Sequence, residues 1–173
     1  MPAVNQSEEL LDVVDQQDQV VAVRRRGDIH ALGLMHRAIH ILLFNHSGEV
    51  FLQKRSMSKD ENPGLWDSSA AGHVDSGESY EECAERELFE ELGIKATQAL
   101  EFLFKLSPSK ATGNEHSVIY RYRFDGALNL QAEEIDDGIW IDAQQLDERV
   151  SRGDPALTVN LILIWNRYRS ASD

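Results

Sequence analysis

Cysteine is all but missing from this chain. Cys83 stands alone, so no disulfide can form within the molecule, and a reducing compartment suits it. Long apolar runs are missing too. The longest, residues 161–165, falls far short of the ~20 residues a membrane helix needs. The opening residues lack the basic start and apolar stretch of a secretory signal, which makes a soluble, cytoplasmic protein the expectation. Basic residues are few: 17 Lys and Arg stand against 30 Asp and Glu, a net charge of −13. Nucleic-acid polymers and anionic membranes both call for a basic face, so neither is expected as a partner. Internal repeats and low-complexity tracts are also lacking.

What is present is the make-up of one domain, or one domain with an arm: 173 residues, 42% of them hydrophobic and 27% charged. The negative charge is concentrated. Residues 72–94 hold eight acids and one base, Arg86, for −7 of the −13. Glu133, Glu134, Asp136 and Asp137 add −4, leaving −2 for the rest of the chain.

Residues 10–14 and 20–24 are apolar-rich runs around a polar connector and predict a hairpin ahead of the main domain. Residues 27–35 suggest a helical turn. Strands are predicted at 38–44 and 50–54, joined by the turn signal Asn45-His46-Ser47-Gly48. A polar loop at 56–64 leads to one strand over 65–74. Residues 76–92 form the clearest helix, with no proline, an acidic first turn and Gly93 as its stop. Further strands are expected at 100–106, 118–124 and 139–141, with a loop at 107–116. Helices follow at 143–152 and 156–168. Strands and helices mix without regular alternation, which predicts an α+β fold or an α/β/α sandwich with a mixed sheet between helices.

On the acidic helix, Glu87 and Glu91 are four residues apart and Glu87 and Glu90 three, so the three carboxylates share a face. Cys83 and Ala84, one turn earlier, are small and leave room for a cavity; Tyr80, Leu88 and Leu92 mark the core stripe. Oxygen ligands in such a cluster suit a hard cation, Mg²⁺ or Mn²⁺. On charge alone, a solvated acidic face without metal is the first expectation, since charge runs are usually solvated faces.

Gly72, five residues, Glu78, seven residues, then Arg86-Glu87-Leu88-Phe89-Glu90-Glu91-Leu92-Gly93-Ile94 resembles the signature of the Nudix hydrolases, with all nine fixed positions filled. The resemblance implies a Nudix-type sandwich over residues 37–173, with the box at 72–94 and residues 1–36 as an N-terminal arm. It implies metal binding by Glu87, Glu91 and Glu90, and by Gly72 through its carbonyl. Arg86 and Glu78 match a pair that ties loop to helix, so a structural salt bridge is the simpler role for Glu78. Cleavage of a diphosphate linkage requires charge neutralisation and an activated water, and divalent cations supply both. The catalytic candidates are Glu90 and a loop acid, Glu134 first and Glu133 and Asp137 next. Arg55, Lys59 and Lys54 are candidates for phosphate contact. Trp66, a substrate-binding candidate, and Trp140 suit base stacking or core packing, core packing being the more frequent fate of such aromatics. The expected substrate is a small diphosphate, a nucleoside diphosphate derivative above all; the arm leaves room for a homodimer.

The stretches Met35-His36-Arg37-Ala38-Ile39-His40, Gln53-Lys54-Arg55-Ser56, Pro63-Gly64-Leu65-Trp66-Asp67 and Ala71-Gly72-His73 are similar to the isopentenyl diphosphate isomerases, Nudix-fold enzymes that work by proton transfer. In that branch a cysteine stands where this chain has Ala71, so the resemblance lacks an essential thiol. Hydrolysis is therefore the first expectation; isomerisation and a non-catalytic nucleotide-binding module are the alternatives. His36 and His73 match histidines that hold a metal in the isomerases, and packed, hydrogen-bonded remnants are the expectation here. His40, alternating with Ile39 and Ile41, is expected on one strand face with its hydrogen bonds met.

Overall fold

The computed structural model describes residues 5–171. A hairpin of β1 (Leu10–Val14) and β2 (Val20–Arg25) comes first, followed by α1 (Arg26–Leu32). The main sheet contains β3 (His36–Phe44), β4 (Val50–Arg55), β5 (Trp66–Asp67), β6 (Ala70–His73), β7 (Glu101–Leu106), β8 (Glu115–Arg123) and β9 (Ile135–Ile141). Helix α2 (Tyr80–Leu92) covers one face, and α3 (Ala143–Ser151) and α4 (Val159–Ala171) the other.

The middle strand explains the layers. In β3, Ile39, Ile41 and Leu43 point into the core shared with Leu88 and Leu92 of α2, while Leu42 and Phe44 join Leu161, Ile164 and Trp165 of α4. A strand apolar on both faces can only be covered on both. β8 runs parallel to β3, pairing His36 with Glu115 through Phe44 with Arg123. Along its other edge β3 pairs with β6 over Ala38–Ile41 and meets β4 only at Phe44↔Val50. β4 turns away to pair with β5 and β9. The sheet therefore splits between β3 and β4, and the split is where the functional residues gather.

Several expected boundaries move. The single strand predicted over 65–74 is two short ones. At Ser68 and Ser69 the chain crosses from the edge of β4 to that of β3, and Ser69 Oγ ties it down by donating to the Phe51 carbonyl (2.6 Å) and accepting from Leu43 N (2.8 Å). Helix α2 starts at Tyr80 rather than 76, because Ser79 caps it in a capping box with Glu82. Strands β8 and β9 start earlier than expected, at Glu115 and Ile135, and take in polar residues that neighbouring strands hold in register. Helix α4 begins at Val159, after Thr158 Oγ1 accepts from Leu161 N (3.1 Å). Cys83 and Ala84 line no cavity: both are fully buried in the α2-side core, where their small size lets the helix lie close to the sheet. Trp140 stacks edge-on against Phe51 in that core.

The hairpin is stitched to the domain. Leu11, Val13 and Ile29 form a small core of their own, and Asp12 accepts from Ser76 Oγ (2.8 Å) and Gly77 N (3.3 Å). No helix among the described residues is long and apolar enough to cross a membrane.

Candidate active site

Helix register sets the site. Glu87 and Glu91, one turn apart on α2, turn toward the split; Glu91 is 5% exposed, and the side chain of Glu90 is half-exposed. Gly72 on β6 supports Glu87 from below. A Cβ on Gly72 would stand 2.1 Å from Glu87 Oε1, so only glycine lets the carboxylate rest there. Gln53 Nε2 on β4 donates to Glu91 Oε2 (2.6 Å). Arg86 gathers the loop and the helix: it grips Glu78 with two bonds (2.7 and 2.9 Å), and donates to Glu87 Oε1 (2.7 Å), Glu90 Oε2 (3.2 Å) and the His73 carbonyl (3.1 Å). Glu78 is thus the partner of Arg86 and of Asp75 N, as its structural reading expects.

Burial pushes the Glu87 carboxyl up to about 8, with Glu90 adding and Arg86 opposing. Burial also raises Glu91 well above the usual carboxylate range, and Glu87 adds to it. Glu78 goes the other way: burial works against its charge, but the Arg86 hydrogen bonds prevail and hold it low. A pair of buried carboxylates that resist ionisation, beside a third and a backbone glycine, is a donor set that fits a hard divalent cation.

These residues face a cleft of about 650 Å³. Gly72, Glu87, Glu90 and Glu91 line it together with Glu133, Glu134, Arg55 and Lys59. Glu134 is held at both oxygens, by Gln6 Nε2 of the N-terminal arm (2.5 Å) and by the Lys59 ammonium. Arg55 donates to Asp67 Oδ2 (3.4 Å) and to the Glu61 carbonyl (3.0 Å). Lys54, Trp66 and Asp137 are not brought to the cleft. Lys54 and Asp137 pair across β4 and β9, and Trp66 packs on the α4-side core. Spacing offered no sign of Gln6 or Gln53, which arrive from other elements.

A second cluster adjoins the cleft. His30, His36 and His73 bring one ligand atom each to within 4.8 Å of one another, the one such group among the described residues. The helix carboxylates are more widely spaced. Glu115 Oε1 lies 3.1 Å from His73 Nε2 and 3.3 Å from His36 Nε2. The second pair is out of line for a hydrogen bond, which leaves His36 Nε2 buried and unpartnered. Burial lowers the basicity of His36, but Glu115 outweighs it and the net shift is upward. Burial likewise opposes the Glu115 charge, yet the two histidines hold that carboxyl far below its usual range. His36 and His73 stand out in the sequence; His30 joins them through the fold of α1, and Glu115 through the parallel register of β3 and β8. Cys83 sits in the core beneath the site, donates to the His73 carbonyl (3.4 Å), and burial pushes its thiol up. It does not replace the thiol missing at Ala71, which lines the cleft.

The NUDIX domain model matches residues 34–160. A Nudix hydrolase of Streptomyces coelicolor is 38% identical over 133 residues, covering 76% of this chain and 74% of the relative. An isopentenyl-diphosphate Delta-isomerase of Serratia proteamaculans is 34% identical over 160 residues, covering 91% and 89%. A crystal structure of a Deinococcus radiodurans protein superposes with a TM-score of 0.82 at 31% identity, covering 92% of this chain and 98% of that one. Fold, box and relatives agree that this chain belongs to the Nudix hydrolases, enzymes that break pyrophosphate linkages and generally use divalent metal ions.

Proposed function

We propose that the cleft hydrolyses the diphosphate linkage of a nucleoside diphosphate derivative or a similar small pyrophosphate, using Mg²⁺ or Mn²⁺. The observation that carries this reading is the seating of Glu87 on Gly72 beside the buried Glu91, with Glu134, Lys59 and Arg55 lining the same cleft. Glu87, Glu91, Glu90 and the Gly72 carbonyl hold the cation, which when bound neutralises diphosphate oxygens and acidifies water. Arg55 and Lys59 bind the phosphates. Glu134 accepts the proton of the attacking water at a carboxylate oxygen, and Gln6 and Lys59 orient that carboxylate for the transfer. Arg86 keeps Glu87 aimed into the cleft. The unpartnered Nε2 of His36 favours a second cation site at His30, His36, His73 and Glu115, a nitrogen-rich set suited to a softer metal than Mg²⁺.

The test is phosphate release with Mg²⁺ or Mn²⁺ from nucleotides, nucleotide sugars, dinucleotides and isopentenyl diphosphate. Metal content is measured alongside. Turnover of a nucleoside diphosphate derivative is expected, with Glu87→Gln and Glu91→Gln each losing about 100-fold or more. His36→Asn is expected to remove one class of bound metal. Unchanged activity in the Glu87 and Glu91 variants sinks the metal assignment. Isomerised isopentenyl diphosphate with no cleavage elsewhere establishes the isomerase, and tight nucleotide binding without turnover establishes a binding module.

A further inference from the structure

Gln53 sits where β4 alternates between two cores. Phe51 packs on the α2 side and Leu52 on the α4 side, so Gln53 shares the face of Phe51. It is 3% exposed, and a buried amide is costly unless its hydrogens find acceptors. Both hydrogens do: Nε2 donates to Glu91 Oε2 (2.6 Å) and to the Ser69 carbonyl (3.2 Å). A backbone carbonyl can only accept, which fixes the amide with its nitrogen on these two partners. Turned over, its oxygen would face a carbonyl and a carboxylate with no hydrogen between them. The anchor is itself fixed. Ser69 is fully buried, and its hydroxyl bonds the Phe51 carbonyl of β4 and Leu43 N of β3 across the strand split. Glu87, by contrast, rests on Gly72 and takes a charged bond from Arg86 (2.7 Å). The neutral amide orients Glu91 without neutralising it, where an arginine or lysine would compete with a cation for the carboxylate.

We infer that Gln53 is a positioning residue for Glu91. Its bond holds Oε2 against the split and leaves Oε1 to meet the cation, so a neutral amide on β4 sets how the α2 carboxylate is presented. This rests on the metal reading above and adds to it a residue that sets cation affinity from outside the ligand set. If Gln53 only filled space, a side chain of the same length and bulk would serve as well. Acting through its hydrogens, it cannot be replaced that way.

Gln53→Met keeps length and bulk and removes both hydrogens. Mn²⁺ affinity is measured by electron paramagnetic resonance, without substrate, on the full chain as wild type, Gln53→Met, Glu91→Gln and the double variant. The site read is the one that Glu91→Gln weakens. Gln53→Met is expected to weaken it about tenfold, the range for a residue that orients a metal ligand. With Glu91 already replaced, the same change is expected to cost less than about twofold, because the two residues act as one unit. Thermal unfolding without metal establishes that each variant is folded. In wild type, which needs no substitution, the Gln53 side-chain amide signals in ¹⁵N NMR are expected to move when Mg²⁺ is added. Wild-type Mn²⁺ affinity in Gln53→Met, an equal loss in both backgrounds, or amide signals unmoved by Mg²⁺ overturns the inference. Failure of the hydrolase reading appears separately, as absence of turnover in wild type with Mn²⁺ still bound.

Discussion

Gly72 and Glu87 are one device made of two residues. The carboxylate lies where any other residue would carry a β-carbon, so the glycine is required by contact rather than by backbone angle. Gly72→Ala should therefore act on Glu87 first. The added methyl displaces the carboxylate from the cleft, and activity is expected to fall about tenfold or more while the fold survives, since the far end of a side chain can yield. Kinetics alongside a melting curve check this; full activity in the alanine variant contradicts it. The acidic box was legible residue by residue because its contacts are local, within one helix and the loop before it. Glu134, placed by its charge and its position before Trp140, does line the cleft. Asp137, three residues further on, does not line it: β9 places that residue opposite Lys54, and register sends neighbouring side chains to opposite faces of a strand. Gln6, Gln53, His30 and Glu115 were invisible for a common reason: each meets the site through a pairing that no local pattern encodes.

Among the elements, α2 has the most sharply defined ends. Ser79 and Glu82 form its capping box, and Gly93 closes it in the left-handed conformation at φ 72°. Ser79→Ala removes one side of the box and is expected to cost about 1 kcal/mol of stability. Catalysis is expected to change little, since Glu87 and Glu91 lie two and three turns further on and are held by Gly72, Arg86 and Gln53. Denaturant unfolding and steady-state rates measure the two effects separately; a large loss of rate with intact stability contradicts this division. Strands and helices were legible in kind nearly throughout, while their limits were not. Residues 65–74 have the composition of one strand, and only the crossing at Ser68 and Ser69 makes them two. The first residues of β8 and β9, polar Glu115–Ser117 and Asp136–Asp137 among them, join the strands because a partner strand satisfies their backbone, which composition cannot show.

At the scale of the molecule, the charge of −13 sets the response to pH and metal. Glu87 has a folded-state pKa of about 8 against a reference of 4.5, and Glu91 is raised as well. A raised carboxyl favours folding while protonated. Its contribution is complete below the unfolded pKa and is lost as pH rises through the folded one. Without divalent cations, the melting temperature is expected to fall between about pH 5 and pH 8. Mg²⁺, which binds the ionised carboxylates, is expected to raise it more at the upper end than at the lower. His36, also raised, contributes in the same direction, so Glu87→Gln separates the two by flattening the slope and the Mg²⁺ response. A calorimetric series at several pH values reads this directly; a Mg²⁺ response independent of pH contradicts it.

Glu134 takes one hydrogen bond from Gln6, across 128 positions of sequence. Loop closure over such a distance comes late in folding, after the local helices and hairpins have formed. During synthesis the arm emerges first and must wait for β9 before this bond can exist. A cleft closed by segments this far apart in the chain is assembled late, so the acidic box acquires its full set of neighbours only after the strands between them have formed.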